Sequence, residues 1–146
     1  AADIRIGKTQ GGKVGLPEVH LGVLPGTGGT QRLTRLIGKS RAIEMMATGD
    51  TIDFEGAHTL GLINKLLPAE NFIDHAIDYA KGFVPPQKAS KAVGLIKRAV
   101  QSGADMSLSD GLALERELQQ QLFMSHDAQE GIRSYVEKEK PVFQGK

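Results

Sequence analysis

The stretch VGLPEVHLGVLPGTGGTQRL (residues 14–33) passes from an extended to a helical pattern, and the interpretation of the whole chain follows from it. Its first part holds short apolar runs broken by proline, a pattern typical of extended segments. Its glycine-rich run, residues 26–29, is followed by Leu33, Leu36 and Ile37 at helical spacing. We therefore predict a turn that leads into a helix. The free N–H groups at such a helix start suit an anionic oxygen or an ordered water, although an ordinary strand-to-helix turn has the same pattern.

Glu18 is the candidate titratable group in this stretch. It follows Pro17 and has apolar residues on both sides. Loss of water around a carboxylate penalises its charged form, which favours a side chain that gives and takes protons near neutral pH. The alternative is an exposed glutamate at the end of a strand, the commoner environment of this residue type. In an extended chain His20 would share a face with Glu18, and it is a candidate second titrating group.

The rest of the chain is mostly helical in pattern after a short strand-rich beginning. Strands are predicted at residues 3–6, 14–19 and 62–66. Apolar residues at helical spacing, with glycine stop signals, predict one helix ending at Gly38 and others at residues 40–48, 53–61, 69–81, 88–101, 109–124 and 128–138. Asp53 is the predicted N-cap of its helix. The predicted fold class is α/β, mostly helical with a small strand-rich N-terminal piece.

The composition excludes several classes of protein. The 18 basic and 17 acidic residues nearly cancel, so no overall field attracts nucleic acid. The chain has no cysteine, which excludes disulfides and thiolate sites. No apolar run approaches the roughly 20 residues that span a bilayer. We therefore expect a cytoplasmic protein that binds neither nucleic acid nor membrane. Because the sequence begins without Met, within an alternating pattern typical of a strand, we also expect a fragment of a longer protein.

Other candidate binding residues are few. The histidines have no ligand-like spacing among themselves, so no metal site is predicted. Lys138 and Lys140, near the end of the chain, are candidate contacts for a phosphate group. The alternative for these two lysines is a helix face in water.

Three segments carry a close resemblance to one protein family. The run VGLPEVHLGVLPGTGGTQRLTRLIGKSRAIEMMATGDTI (residues 14–52) resembles the signature region of the enoyl-CoA hydratase/isomerase, or crotonase, family. The similarity continues through DFEGAHTLGLINKLLP (residues 53–68) and reaches DAQEGIRSYVEKEKPVF (residues 127–143), which resembles that family's usual ending. Several motifs in the same order and at the same distances make the resemblance specific across essentially the whole chain.

The resemblance implies a fold and an assembly. The family fold is a spiral of ββα units followed by a helical region that forms trimers, which commonly pair into hexamers. By this resemblance residues 1–66 would be the end of the spiral core, with the Pro-Glu and glycine-rich motifs. Residues 67–146 would be the C-terminal helical trimerisation region.

The resemblance also implies a substrate class and residue roles. Family members bind acyl-CoA thioesters and stabilise a thioester enolate with two backbone N–H donors. Coenzyme A is then part of the substrate, and no further cofactor is implied. Glu18 matches the carboxylate that exchanges a proton with the substrate. Gly26 matches a glycine whose N–H positions water or substrate, and the neighbouring Leu24, Pro25 and Thr27 are assigned to the same substrate-binding loop.

Part of the family machinery lies outside this sequence. In hydratases a second glutamate and the oxyanion donors lie upstream of a segment that resembles residues 2–6. Three interpretations remain open. The chain is part of an enoyl-CoA hydratase of fatty-acid β-oxidation, inactive by itself; or part of a Δ3,Δ2-enoyl-CoA isomerase, which needs only the carboxylate matching Glu18; or a non-catalytic, oligomer-forming fragment.

Overall fold

A computed structural model describes residues 2–146, in which seven α-helices, one 3-10 helix and four three-residue strands occur. In chain order they are β1 (Ile6–Lys8), β2 (Lys13–Gly15), the 3-10 helix (Glu18–Leu21), α1 (Gly29–Ile37), α2 (Lys39–Thr48), β3 (Thr51–Asp53), α3 (Phe54–Thr59), β4 (Lys65–Leu67), α4 (Phe72–Lys81), α5 (Ser90–Gly103), α6 (Leu108–Phe123) and α7 (His126–Glu137). The predicted fold class, mostly helical with a small strand-rich beginning, is confirmed.

The chain divides into two compact units, one ending at Ala76 and the other beginning at Ile77. The predicted functional division after residue 66 stays a prediction. None of the helices within residues 2–146 combines the length and the apolar character that crossing a membrane requires.

Two small sheets frame the first unit. β1 pairs with β4 in parallel, with Ile6 opposite Lys65. β2 pairs with β3 in the antiparallel sense, with Val14 opposite Ile52. Each pair joins a strand that precedes α1 to one that follows α2, so both sheets depend on long-range contacts.

The core of the first unit lies between α1 and α2. Leu33 and Ile37 of α1 are buried together with Ala42 and Met45 of α2. Gly38 connects the two helices with φ +83°, in the region that favours glycine. The predicted stop signals at this position and at Gly49 are confirmed, and the helical spacing of residues 33–37 places their apolar side chains in the core.

The predicted strand at residues 14–19 is wrong beyond Gly15. Pro17 has no N–H to offer a sheet, and its carbonyl oxygen instead accepts the N–H of His20 at 3.0 Å to start the 3-10 helix. Gly22 ends that helix with φ +72° and donates its N–H to Val19 at 3.0 Å. Glu18 and His20 therefore do not share a strand face.

Several element boundaries also differ from prediction. β1 begins only at Ile6, β4 is shifted to Lys65–Leu67, and β3 was not predicted. Two helices, α6 and α7, begin earlier than predicted because serine residues cap them. The side chain of Ser107 accepts the N–H of Asp110, and that of Ser125 accepts the N–H of Ala128. The predicted N-cap Asp53 is confirmed, since its Oδ1 accepts the N–H of Gly56 at 2.7 Å.

The second unit is helical and ends in an extended tail. α5 packs on α6, and α6 contacts α7. Gly103 and Gly111 face each other where α5 and α6 approach closely, since a Cβ built on Gly111 would lie 3.6 Å from the carbonyl oxygen of Gly103. The tail beyond α7 returns to the start of that helix, where the backbone N–H of Asp127 donates to Lys146 at 3.1 Å.

Candidate active site

Glu18 opens the 3-10 helix of the first unit. Pro17 precedes it with φ −84°, and the carbonyl oxygen of Glu18 accepts the N–H of Val23 at 3.3 Å. The chain thus folds back on itself immediately after the candidate carboxylate. This turn, together with the left-handed Gly22, fixes the backbone that carries the side chain.

The carboxylate of Glu18 has one buried oxygen without a hydrogen bond. Within residues 2–146 no group donates to its Oε2, although that atom is out of contact with solvent. Leaving a buried acceptor unpaired costs about 1–3 kcal/mol, and more for a charged group. Such atoms are rare in native proteins, and each one points to a strained site, a reactive site or a partner that binds there.

Apolar side chains surround this turn and face solvent. The exposed fractions are 40% for Val19, 80% for Leu21, 57% for Val23 and 68% for Leu24. Single exposed apolar residues are ordinary, but four within six positions form a patch. This segment therefore presents an apolar surface beside a carboxylate, a combination suited to an apolar ligand that exchanges a proton.

The glycine-rich turn begins α1 without a side-chain cap. Pro25 is buried, whereas Gly26 and Thr27 are exposed. Gly28 is the N-cap with φ +89°, and among the described residues no side chain accepts a capping hydrogen bond from the N–H groups of this helix start. The predicted helix start is confirmed, and its N–H groups are available to a ligand oxygen.

Arg32 supports this turn from within α1. Its Nη1 donates to the carbonyl oxygen of Thr27 at 2.9 Å. Its guanidinium also lies over Gly28, where an added Cβ would clash with Nη1. The left-handed conformation of Gly28 favours glycine at this position, and a side chain there would also displace the guanidinium of Arg32. Arg32 was not predicted as a site residue, and its position four residues after Gly28 is the one signal that the sequence offers.

A cavity of about 270 Å³ opens beside the same turn. Thr27, Gly28 and Arg32 contribute to its wall, together with apolar residues of β2, α1 and α2. Arg5 also lines it and donates through Nε to the carbonyl oxygen of Leu62 at 2.6 Å. The turn predicted to bind substrate therefore borders a mostly apolar space, whereas Glu18 is not part of that wall.

Lys138 and Lys140 belong to the second unit, and both are exposed. Lys138 is the C-cap of α7 with φ +57°, a left-handed conformation that is unusual for a residue with a side chain. Arg133 stabilises the chain reversal at this point by pairing with Glu137 and with Glu139, the latter at 2.9 Å. The backbone at Lys138 is thus held in place, and its contact with a phosphate stays a prediction.

A carboxylate with an unpaired buried oxygen, in the same unit as an uncapped helix start, defines a candidate site for proton transfer on an apolar substrate. The sequence profile described as enoyl-CoA hydratase/isomerase matches residues 1–146. A mitochondrial enoyl-CoA hydratase of Pongo abelii is 40% identical over 127 residues, which are 87% of this chain and 43% of the relative. An enoyl-CoA isomerase/hydratase of Mycosarcoma maydis is 38% identical over 146 residues, which are 100% of this chain and 53% of the relative.

A solved structure agrees with these sequence relatives. The crystal structure of an enoyl-CoA hydratase from Geobacillus kaustophilus matches with a TM-score of 0.93 at 44% identity, covering 99% of this chain and 54% of that one. The chain therefore belongs to the enoyl-CoA hydratase/isomerase family, as the resemblance predicted. It spans about half the length of the curated relatives it matches.

Proposed function

We propose that the full-length protein containing this chain is an enoyl-CoA hydratase. It would add water across the 2,3-double bond of a 2-trans-enoyl-CoA and produce a 3-hydroxyacyl-CoA, the hydration step of fatty-acid β-oxidation. The observation that carries the proposal is the unpaired, buried Oε2 of Glu18 within an apolar turn. Family membership supports the choice of an acyl-CoA substrate.

In this mechanism Glu18 delivers a proton to the α-carbon of the acyl group. Water attacks the β-carbon with the help of a second glutamate from the other half of the protein. The electron pair of the double bond moves onto the thioester as an enolate, and the proton from Glu18 then forms the new C–H bond. A positioned general acid of this kind contributes typically 10²–10⁴-fold to the rate.

The glycine-rich turn would hold the substrate beside Glu18. Gly26 is exposed two residues before Gly28, the N-cap of α1, and in this proposal its N–H donates to a substrate or water oxygen beside the helix start. Leu24 and Thr27 offer apolar and polar contacts, and the buried Pro25 fixes the turn between them. Lys138 and Lys140 would contact a phosphate of coenzyme A.

A Δ3,Δ2-enoyl-CoA isomerase is the second candidate, because the family profile and one relative carry both names. There Glu18 would move one proton between two carbons and no water would be added. The two activities are distinguished by supplying a 3-enoyl-CoA or a 2-trans-enoyl-CoA and analysing the product. Formation of a 3-hydroxyacyl-CoA from the 2-trans substrate favours the hydratase.

The helical region is proposed to form trimers that pair into hexamers. Exposed apolar side chains on α5 and α7 support this, with exposed fractions of 60% for Ile96, 64% for Val100 and 73% for Val136. A cytoplasmic location stays a prediction, since one relative is mitochondrial. Light scattering of the full-length protein measures the assembly directly.

The test of the catalytic proposal is Glu18→Gln in the full-length protein. We expect kcat for hydration of crotonyl-CoA to fall by about 10²–10⁴-fold, because an amide does not supply the proton. Glu44→Gln, a matched change at an exposed position of α2, should leave kcat unchanged. Full activity of Glu18→Gln would refute the proposal.

A second measurement concerns the 146 residues alone. Because family hydratases use a second glutamate and oxyanion donors from the other half, this polypeptide is expected not to hydrate crotonyl-CoA. Intact mass should first confirm a species of 15.7 kDa. Turnover by such a sample would contradict the division of catalytic groups between the two halves. Assembly without turnover by the full-length protein would instead favour a non-catalytic, oligomer-forming role.

A further inference from the structure

His20 lies against the C-terminal end of α2. Gly49 caps that helix with φ +73°, is buried, and donates its N–H to Met45 at 3.1 Å. A Cβ built on Gly49 would lie 2.5 Å from Nε2 and 2.8 Å from Cε1 of His20. The imidazole ring of His20, itself an exposed residue, therefore rests directly on the glycine, and an added side chain would have to displace the ring.

The junction that His20 contacts is also packed against β2. The carbonyl oxygen of Asp50 would lie 2.8 Å from a Cβ on Gly15, which pairs with Thr51 in the antiparallel sheet. The end of α2 thus contacts the imidazole of His20, and the residues that follow it contact β2. His20 links the short helix that carries Glu18 to a well-packed part of the first unit.

The helix at Glu18–Leu21 needs such an anchor. None of its four residues, all of which the structure describes, is buried, and Leu21 is 80% exposed. At the same time Oε2 of Glu18 is buried without a partner. Hydration would stabilise this buried carboxylate oxygen. An outward movement of the helix that exposes the oxygen to water would therefore be favourable. A contact that opposes the movement keeps the carboxylate where a substrate meets it.

We infer that His20 is a positioning residue for Glu18, acting through the packing of its ring on Gly49. The inference rests on the proposed function of Glu18 and gives His20 a role other than the predicted second titrating group. The ring restrains the 3-10 helix against α2, and the carboxylate thereby stays oriented in the resting protein. A displacement of about 1 Å at a reacting group can cost on the order of 10²-fold in rate.

The experiment compares three substitutions in the full-length protein by crotonyl-CoA hydration, with kcat expressed per folded molecule. For His20→Ala we expect kcat to fall by about 10- to 100-fold and KM to stay within about twofold, because the substrate-binding turn is unchanged. His20→Phe keeps a flat ring on Gly49 and should restore kcat to within about threefold. His58→Ala, at an exposed position of α3, is the matched control and should behave as the unaltered protein.

A double substitution tests the contact itself. Gly49→Ala displaces the ring and should lower kcat as His20→Ala does, and the double variant should lose much less than the product of the two single effects. Thermal unfolding of each variant gives the folded fraction. If Glu18→Gln abolishes turnover while His20→Ala retains full kcat, the inference about His20 is refuted and the proposed function stands. If Glu18→Gln is active, the proposed function fails first.

Discussion

Gly145 donates its backbone N–H to Oδ2 of Asp127 at 2.7 Å, although the two residues are 18 positions apart. Gln144 donates to Oδ1 of the same carboxylate at 2.8 Å. Asp127 is only 2% exposed, and two adjacent backbone N–H groups of the tail therefore satisfy a buried charge at the start of α7. The tail is thereby attached to the first turn of that helix.

Asp127→Asn should loosen this attachment. The asparagine amide keeps one acceptor oxygen, but its NH2 group would face a backbone N–H, so one of the two hydrogen bonds is lost. Hydrogen bonds to a charged group are each worth about 1.5–3 kcal/mol. We expect amide hydrogen exchange at Gln144 and Gly145 to become roughly 10- to 100-fold faster, since each 1.4 kcal/mol is about a factor of ten. Asp105→Asn, at an exposed site after α5, should leave exchange at both amides unchanged. Unaltered exchange in the Asp127 variant would contradict the role of its charge.

The same attachment should depend on pH in acid. Burial disfavours the charged form of Asp127, but the N–H groups of Gln144 and Gly145 outweigh it, and with His126 they hold its pKa below the ordinary 3.8. The pKa of Glu130 is also lowered from its ordinary 4.5, because the N–H of Val142 and the guanidinium of Arg133 hydrogen bond to its carboxylate.

Because both carboxyl pKa values are depressed in the folded chain, the unfolded chain binds protons more readily. The stabilisation is complete above the ordinary pKa values and is lost as the pH falls through the lower folded-state values. The amide resonance of Gly145 should thus stay constant from about pH 7 to 5 and shift below about pH 4. A shift centred near neutral pH would contradict the assignment of this dependence to the two carboxylates.

Gly29 should resist substitution by alanine for a steric reason. A Cβ there would lie 2.7 Å from Cβ of Pro25 and 3.0 Å from Cδ1 of Leu16. Such overpacking costs about 1–3 kcal/mol, so we expect Gly29→Ala to lower the free energy of unfolding of the full-length protein. Gly94, inside α5, has open space at the Cβ position. Gly94→Ala should therefore raise the free energy of unfolding by about 0.5–1 kcal/mol. Denaturant unfolding measures the change in the free energy of unfolding for each variant. Equal changes in the two variants would show that helix propensity, and not the steric contact at Gly29, determines the effect.

Lys138 should influence substrate affinity more than turnover. If its ammonium contacts a phosphate of coenzyme A, Lys138→Ala raises KM for crotonyl-CoA several-fold at low salt and leaves kcat unchanged, and the difference shrinks at high salt because exposed charges are screened. Lys140→Ala should also raise KM for crotonyl-CoA at low salt. Lys39→Ala, at the exposed start of α2, is the control. A salt-independent loss of kcat would indicate a structural role for the left-handed position.

Local patterns predicted those parts of the fold that local interactions decide. The helical spacing of Leu33 and Ile37, the glycine after each of the first two helices, and the cap at Asp53 are each determined within a few residues, and each is confirmed. The strand beyond Gly15 was wrong because Pro17 removes a donor, and the apolar run could not reveal that the chain would turn there.

The site was only partly accessible from the sequence. Glu18 and the glycine-rich turn follow from a recurring motif, and the resemblance identified the family. The contact of His20 with Gly49 and the attachment of the tail to Asp127 join segments far apart in the chain, for which no periodicity gives a signal. Long-range contacts of this kind are decided by packing, which composition and spacing do not encode.

The parallel pairing of β1 with β4 has a consequence for the order of folding. Beside that pair Arg5 and Asn64 hydrogen bond although they are 59 positions apart, and closing a loop of that length costs roughly 4 kcal/mol of chain entropy. The α1–α2 core closes a far shorter loop and should form earlier. During synthesis β1 leaves the ribosome before β4, so the edge of β1 that pairs with β4 stays unpaired until β4 has been made. For that interval a nascent chain has an unpaired strand edge, which is the stage at which association with other nascent chains would compete with folding.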